Sequence, residues 1–323
     1  MRRAQIIEEM RNLKIAFLFL IVFSFKGFSQ QDPLSSHYMF NTLSFNPGST
    51  GVSGMICATA INRQQWVGFE GAPATTYFNV SAPINLFRIN SGVGLIVTSD
   101  KAGFDKDISL SGSYAYHLEL GTGELGIGIN LGMINKALDP TWVIPSGDSH
   151  TPPSGDPLIP ENKESYVAFD AGLGVFYRTD KYYAGLSVTH INEPEIKYTK
   201  GLPYVSRHYY LVAGYTLQLP NPAFELIPSI FAFSDGKVAQ VAVNALVRYN
   251  NKFWGGVSYR VQDAVVILLG MNYKNFRIGY AYDITTSRLA SAGSSGSHEI
   301  MLGYCFKIVI EKPRKSYRNT RFL

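Results

Sequence analysis

Charge is scarce in this sequence. Asp, Glu, Lys and Arg make up 16% of its 323 residues, against about 25% in an ordinary soluble domain. Long apolar runs are missing too. Its leading apolar stretch, Ile15 to Phe25, spans eleven residues, and a spanning helix needs about 20. Cysteine is limited to Cys57 and Cys305. Neither closely follows the end of that apolar run, which argues against a lipoprotein anchor.

Signatures of chemistry are also lacking. The six histidines are His37, His117, His150, His190, His208 and His298, and no two stand at ligand spacing on one element. Ser297-His298-Glu299 holds the residue types of a hydrolytic triad, but adjacent residues of a strand face opposite ways. Gly92-x-Gly94 and Gly172-x-Gly174 lie inside strand patterns with no helix after them. They suit curvature or close packing against an inserted segment, not a phosphate loop. The expectation is no catalytic residues, no cofactor, no metal and no enzyme.

Tyr, Phe and Gly take the place of the missing charge: twenty, twenty and thirty residues. The stretch from Val238 to Tyr282 shows how they are used. Four runs of alternating polarity follow one another there, separated only by Asn250-Asn251-Lys252, Gln262-Asp263 and Lys274-Asn275. Period two means strand, and polar gaps of two or three residues mean hairpins. About fourteen such strands can be counted, from Ser53–Arg63 to His298–Phe306. Their lengths match the ~9–11 residues of a tilted membrane-crossing strand.

The connections sort by parity. Even-numbered ones (84–89, 121–123, 179–181, 218–223, 250–252, 274–275) are short. Odd-numbered ones include 64–73, 100–107, 137–165, 192–206 and 284–297, all longer, with 235–237 and 262–263 the short exceptions. Outer-membrane barrels have short periplasmic turns and long external loops. Rings flank the short turns: Tyr177 and Tyr182, Tyr249 and Phe253, Tyr273 and Phe276, as expected at lipid-headgroup depth. In the last strand Ile300, Leu302, Tyr304 and Phe306 share one face, and Glu299, Met301, Gly303 and Cys305 the other. Backbone in lipid must be fully paired, so such a sheet closes. The fold expected is all-β: a transmembrane up-and-down antiparallel β-barrel of about fourteen strands.

Four regions follow. Residues 1–29 read as a signal peptide, with a cut after Ser29; Met10 offers a second start. Residues 30–52 have no lasting period and are expected to lie in the lumen or across the periplasmic mouth. Residues 53–306 are the outer-membrane barrel, and 307–323 a basic periplasmic tail. The leader holds five basic and two acidic residues and the tail six and one, which leaves the body from Gln30 to Phe306 at −3 out of a total of +5. Basicity therefore resides at the ends and does not point to nucleic acid. An even strand count puts both termini in the periplasm of a Gram-negative cell. The tail either docks on an acidic partner or lipid phosphates, or stays solvated. Cys57 and Cys305 fall in the first and last strands. They are two free thiols or a disulfide across the seam, and the strain of directly opposed pairs favours the thiols.

The candidates for partner binding are Arg63, Gln64, Trp66, Phe69, Trp142, Arg260, Asp263 and Asp283. Arg63 to Gly71 ends a strand and enters an external loop with Trp and Arg, residue types enriched in recognition; the competing reading is a girdle Trp with a lumenal Arg. Trp142 sits in the Pro- and Gly-rich connection 137–165. Arg260, Asp263 and Asp283 are expected at the external ends of neighbouring strands, as a lumenal charge network or as solvated rim charges.

These motifs also carry a resemblance. Gln31-Asp32-Pro33, Ser36-His37-Tyr38-Met39-Phe40-Asn41, Phe45-Asn46-Pro47, the run from Arg63 to Pro73, Arg207-His208-Tyr209, Trp254-x-Gly256-x-Ser258-Tyr259-Arg260, Gly279-Tyr280-Ala281-Tyr282-Asp283 and Gly296-Ser297-His298-Glu299-Ile300 resemble the PorP/SprF family of the Bacteroidetes type IX secretion system. Gly48-Ser49-Thr50-Gly51 departs from the Ala-Tyr-containing turn more usual there. The resemblance implies an outer-membrane barrel that works with type IX secretion components and with an exported surface protein such as a gliding-motility adhesin, in contact with outer-membrane lipid. It carries over no catalytic residues. A passive pore for small solutes is the alternative.

Overall fold

The computed structural model describes residues 32–86, 89–139, 162–199, 202–287 and 294–307; the expected leader, Trp142 and most of the basic tail lie outside them. Fifteen strands run in chain order: β1 (Ile56–Gln64), β2 (Ala74–Leu86), β3 (Ile89–Ala102), β4 (Asp105–Leu120), β5 (Gly123–Leu138), β6 (Glu164–Arg178), β7 (Tyr182–Thr189), β8 (His208–Tyr215), β9 (Leu217–Gln218), β10 (Phe224–Ser234), β11 (Ala239–Tyr249), β12 (Phe253–Arg260), β13 (Ala264–Tyr273), β14 (Phe276–Thr285) and β15 (Ser297–Phe306). Each ring strand pairs antiparallel with its neighbours. β15 returns to β1 through a register from Ile56↔Phe306 to Gln64↔His298. The two-residue β9 pairs only with β10 and stands outside the ring, so fourteen strands close the barrel, as the alternating pattern predicts.

Period two sets the faces. In β15, Ile300 and Leu302 are 59% and 48% exposed while Glu299 and Met301 are fully buried. In β13, Leu269 faces out and Leu268 in. The same alternation around the ring covers the outside with Leu, Ile, Val, Phe and Tyr, far more apolar surface than a soluble monomer leaves in water. Lipid is the solvent that fits this face, and closure leaves no unpaired strand edge within it. The short-turn rim carries close aromatic pairs: Phe224–Tyr249 at 4.8 Å, Phe276–Tyr304 at 4.7 Å and Tyr177–Tyr182 at 5.8 Å between ring centres. Asn250 and Asn251 turn one of these hairpins with φ of 50° and 55°, a conformation Asn tolerates better than most residues.

Two expectations are corrected. The connection at 100–107 is not a long loop. β3 and β4 stay paired through Asp100↔Asp107, Lys101↔Lys106 and Ala102↔Asp105, and turn on Gly103, at φ +60°, and Phe104. The apolar pattern stops at Ser99 because the lipid-facing band stops there; a ladder's backbone hydrogen bonds do not. Cys57 and Cys305 are not free thiols either. They are direct partners in the closing register and form a disulfide, with Cα atoms 4.1 Å apart. Antiparallel ladders alternate wide pairs with narrow ones of about 4.5 Å. The sequence shows that the cysteines oppose, but not that they fall on a narrow pair.

The lumen is filled from within. Residues 32–54 run inside the wall as three short 3-10 turns, Tyr38–Phe40, Thr42–Ser44 and Pro47–Ser49. Tyr38 stacks on Phe231 at 4.9 Å, Phe45 on Tyr210 at 5.4 Å, and Phe40 leans on Trp254 at 5.0 Å. The backbone from Asn46 to Gly51 lies so close to the wall that strand glycines are required. A Cβ on Gly126 would meet the Gly48 carbonyl oxygen at 2.0 Å, one on Gly128 the Pro47 oxygen at 2.2 Å, and one on Gly92 the Thr50 oxygen at 2.1 Å. Polar ties hold the same stretch: Ser187 Oγ donates to the Phe45 carbonyl at 2.7 Å, and Asn46 Nδ2 to the Val175 carbonyl at 3.0 Å.

Candidate functional site

Four strands aim charge at the start of this lumenal segment, near the rim that carries the long connections. β1 supplies Arg63, β12 Arg260, β14 Asp283 and β15 Glu299, each at most 5% exposed. Register explains the meeting. Arg63 and Glu299 are direct partners, β14 is the next strand after β15, and small Ala264, opposite Arg260 on β13, lets the Arg260 side chain reach across. Arg63 Nη2 lies 2.6 Å from Asp283 Oδ2, and its Nη1 lies 3.3 Å from Glu299 Oε2. Arg260 Nη1 reaches Asp263 Oδ2 at 2.8 Å and Asp283 Oδ2 at 3.2 Å.

This network grips Ser35, Ser36 and His37. The Ser36 hydroxyl accepts from Arg63 Nη1 at 2.9 Å and Arg260 Nη2 at 3.1 Å, and donates to Asp283 Oδ1 at 2.9 Å. Glu299 accepts from the backbone N–H groups of Ser36 and His37 at 2.8 and 2.9 Å, and its Oε1 lies 2.7 Å from His37 Nδ1. Opposite charges alternate, and the carboxylates are saturated with donors. That is the condition under which buried ions are tolerated; removing one partner then costs about 3–5 kcal/mol. What the arrangement does is hold the lumenal segment in place.

Of the residues singled out in the sequence, Arg63, Arg260, Asp263 and Asp283 come together in this lock, and Arg63 points into the lumen. Gln64, Trp66 and Phe69 sit on the rim above it. Gln64 is exposed and the two rings half-buried. There the connection after β1 pairs with the residues before β15. Trp66 N–H donates to Ser297 Oγ at 3.0 Å, Val67 N–H to the Gly296 carbonyl at 2.8 Å, and Ser295 N–H to the Val67 carbonyl at 3.0 Å. The seam is thus extended beyond the closing strands. Ser36, His37 and Glu299 were missed as site residues. The signal available was an acidic residue on the inward face of the last strand, in register with an inward Arg of the first.

A second cluster, also missed, lies where β7 ends and β8 begins. Asp32 Oδ1 is 3.1 Å from His190 Nε2, and the Asp32 N–H points at His208 Nε2 at 3.3 Å. Asp170 Oδ1 is 2.8 Å from His190 Nδ1, and Tyr210 donates to Asp32 Oδ2 at 2.6 Å. Burial opposes ionisation of Asp32, but His190 and His208 beside it hold its carboxyl well below the usual carboxylate range. Burial likewise opposes a charge on His190, while Asp32 and Asp170 push its pKa up to about 10. Two carboxylates here demand a cation between them. The cluster opens on a cavity of about 150 Å³ inside the barrel.

A sequence profile of the family described as "Type IX secretion system membrane protein PorP/SprF" matches residues 27–304. No curated protein matches the sequence. Among solved structures, the chain is similar to the toluene transporter TbuX of Ralstonia pickettii, at 12% identity over 88% of this chain and 97% of that one, with a TM-score of 0.46. It is similar to CdiB from Acinetobacter baumannii at 12% identity over 78% of this chain and 60% of that one, TM-score 0.41, so it spans less than two thirds of that protein. The beta domain of the Bordetella autotransporter BrkA matches at 11% identity over 79% and 98%, TM-score 0.36.

Proposed function

The chain belongs to the PorP/SprF family of type IX secretion system membrane proteins, and from that premise we propose that it assists the secretion or surface anchoring of a partner protein, such as a gliding-type adhesin, at the outer membrane. Family and fold mark a membrane component of a secretion system rather than an enzyme. In this reading the long-connection rim faces outward, the short turns and both termini face the periplasm, and contact with the exported protein is made by Gln64, Trp66 and Phe69 together with Trp142.

The observation that supports it against a passive pore is the filled lumen. Aromatic residues of the 32–54 segment pack against the wall, and two arginines and two carboxylates bind Ser36 and His37 in place. A barrel built to pass solutes has no use for such a lock. Working surface is then left at the rim, where a half-buried Trp beside exposed polar residues suits protein recognition. Deleting the gene tests the reading: a large surface protein should stay in the cell or be shed into the medium. Unchanged surface display would defeat it. Planar-bilayer recording of the purified barrel tests the alternative, since a stable open channel would favour the pore.

A further inference from the structure

We propose that Asp32, His190 and His208 form a site for a divalent transition-metal ion, Zn²⁺ being the best fit, which fastens the start of the lumenal segment to the barrel wall. The three ligands come from three separate stretches: the inserted segment, the end of β7 and the start of β8. They offer one donor atom each, and the three lie within 4.8 Å of one another. Asp32 Oδ1 and His190 Nε2, 3.1 Å apart, already match the edge of about 3.3 Å that tetrahedral coordination with bonds near 2.0–2.1 Å requires.

The outer contacts distinguish this from a simple ion pair. Metal-bound histidines pass their other ring nitrogen to a carboxylate or carbonyl, which fixes the ring's orientation. Both rings do so here: His190 Nδ1 meets Asp170 Oδ1 at 2.8 Å, and His208 Nδ1 meets the Ser206 carbonyl at 2.9 Å. Asp32 Oδ2 is likewise occupied, by the Tyr210 hydroxyl at 2.6 Å and Thr189 Oγ1 at 3.3 Å. Asp32 Oδ1 and His190 Nε2 are left to face a shared ion, and His208 Nε2, which takes the Asp32 N–H at 3.3 Å, joins them when that contact is given up. Three protein ligands and a neighbouring cavity of about 150 Å³ leave a fourth position for water. Asp32, a quarter exposed in its side chain, gives the ion a way in. The inference stands apart from the secretion role, because it concerns how the lumen is closed.

The test uses the full chain, purified in detergent and stripped with a chelator, titrated with ZnCl₂ by calorimetry. One Zn²⁺ per chain is expected. His190→Ala and His208→Ala, with folding checked by heat-modifiable migration on gels, should each weaken binding at least about 100-fold, and Asp170→Asn about 10–100-fold. X-ray absorption of the Zn-loaded parent, which needs no variant to fold, should show two imidazoles and oxygen at about 2.0–2.1 Å. Absence of stoichiometric binding would overturn the proposal, as would a folded His190→Ala/His208→Ala double variant that binds like the parent or a spectrum without imidazole.

Discussion

Arg63 and Glu299 face each other in the register that joins the first strand to the last, and both are buried. The ion pair that closes the ring is therefore also the one that holds its contents. Arg63→Ala leaves Glu299 and Asp283 short of a cation in a dry site, a loss of about 3–5 kcal/mol. The temperature at which the folded band converts to the unfolded one on gels should fall well below that of the parent. An unchanged transition would mean that the lock contributes nothing to stability.

Filling a strand glycine should dislodge the segment without touching any charge. In Gly128→Val the new Cβ would meet the Pro47 carbonyl oxygen at 2.2 Å, so the backbone from Asn46 to Gly51 has to move away. The parent is expected to conduct poorly in a planar bilayer. The variant should conduct measurably better, and equal, low currents in both would show that the segment does not limit the lumen.

Reduction tests the seam. The Cys57–Cys305 disulfide joins residues 248 apart in sequence, and losing such a cross-link typically costs about 2–5 kcal/mol. Cys57→Ser/Cys305→Ser should still form a barrel, because the register on either side is intact, but should melt earlier. The parent treated with dithiothreitol should melt with the variant, and the variant should not respond to the reagent. Identical melting of all three samples would contradict a bond in the mature protein.

Recognition at the rim can be separated from folding. Gln64→Ala/Trp66→Ala removes an exposed amide and a half-buried indole outside the lumen. The barrel should melt within a few degrees of the parent, while the amount of surface protein recovered with it drops about tenfold or more, the scale of an aromatic hot spot. Equal recovery would move the contact elsewhere on the surface.

Strand number, strand order and the faces of β14 and β15 could be read from period-two alternation, because lipid outside and a packed lumen inside impose opposite chemistry on successive residues. The ends of β3 and β4 could not, since beyond Ser99 charged side chains meet water and only the backbone continues the ladder. A charge network around Arg260, Asp263 and Asp283 was one of two readings that their place at the external strand ends allowed, the other being solvated rim charges. Its purpose was not legible, because Ser36 and His37 belong to a segment without a period, and nothing in such a segment states which wall it meets. His190 and His208 escaped for a related reason. Spacing within a single element does not reveal them, because a hairpin brings together residues far apart along the chain.

The grip on Ser36 has a bearing on how the molecule is assembled. Its partners arrive from β1, β12 and β14, and the adjoining amides wait for Glu299 on β15. Ser36 and His37 therefore have their bonding completed only at the end of the chain, and a polypeptide stalled before its final hairpin lacks the Asp283 and Glu299 that hold them.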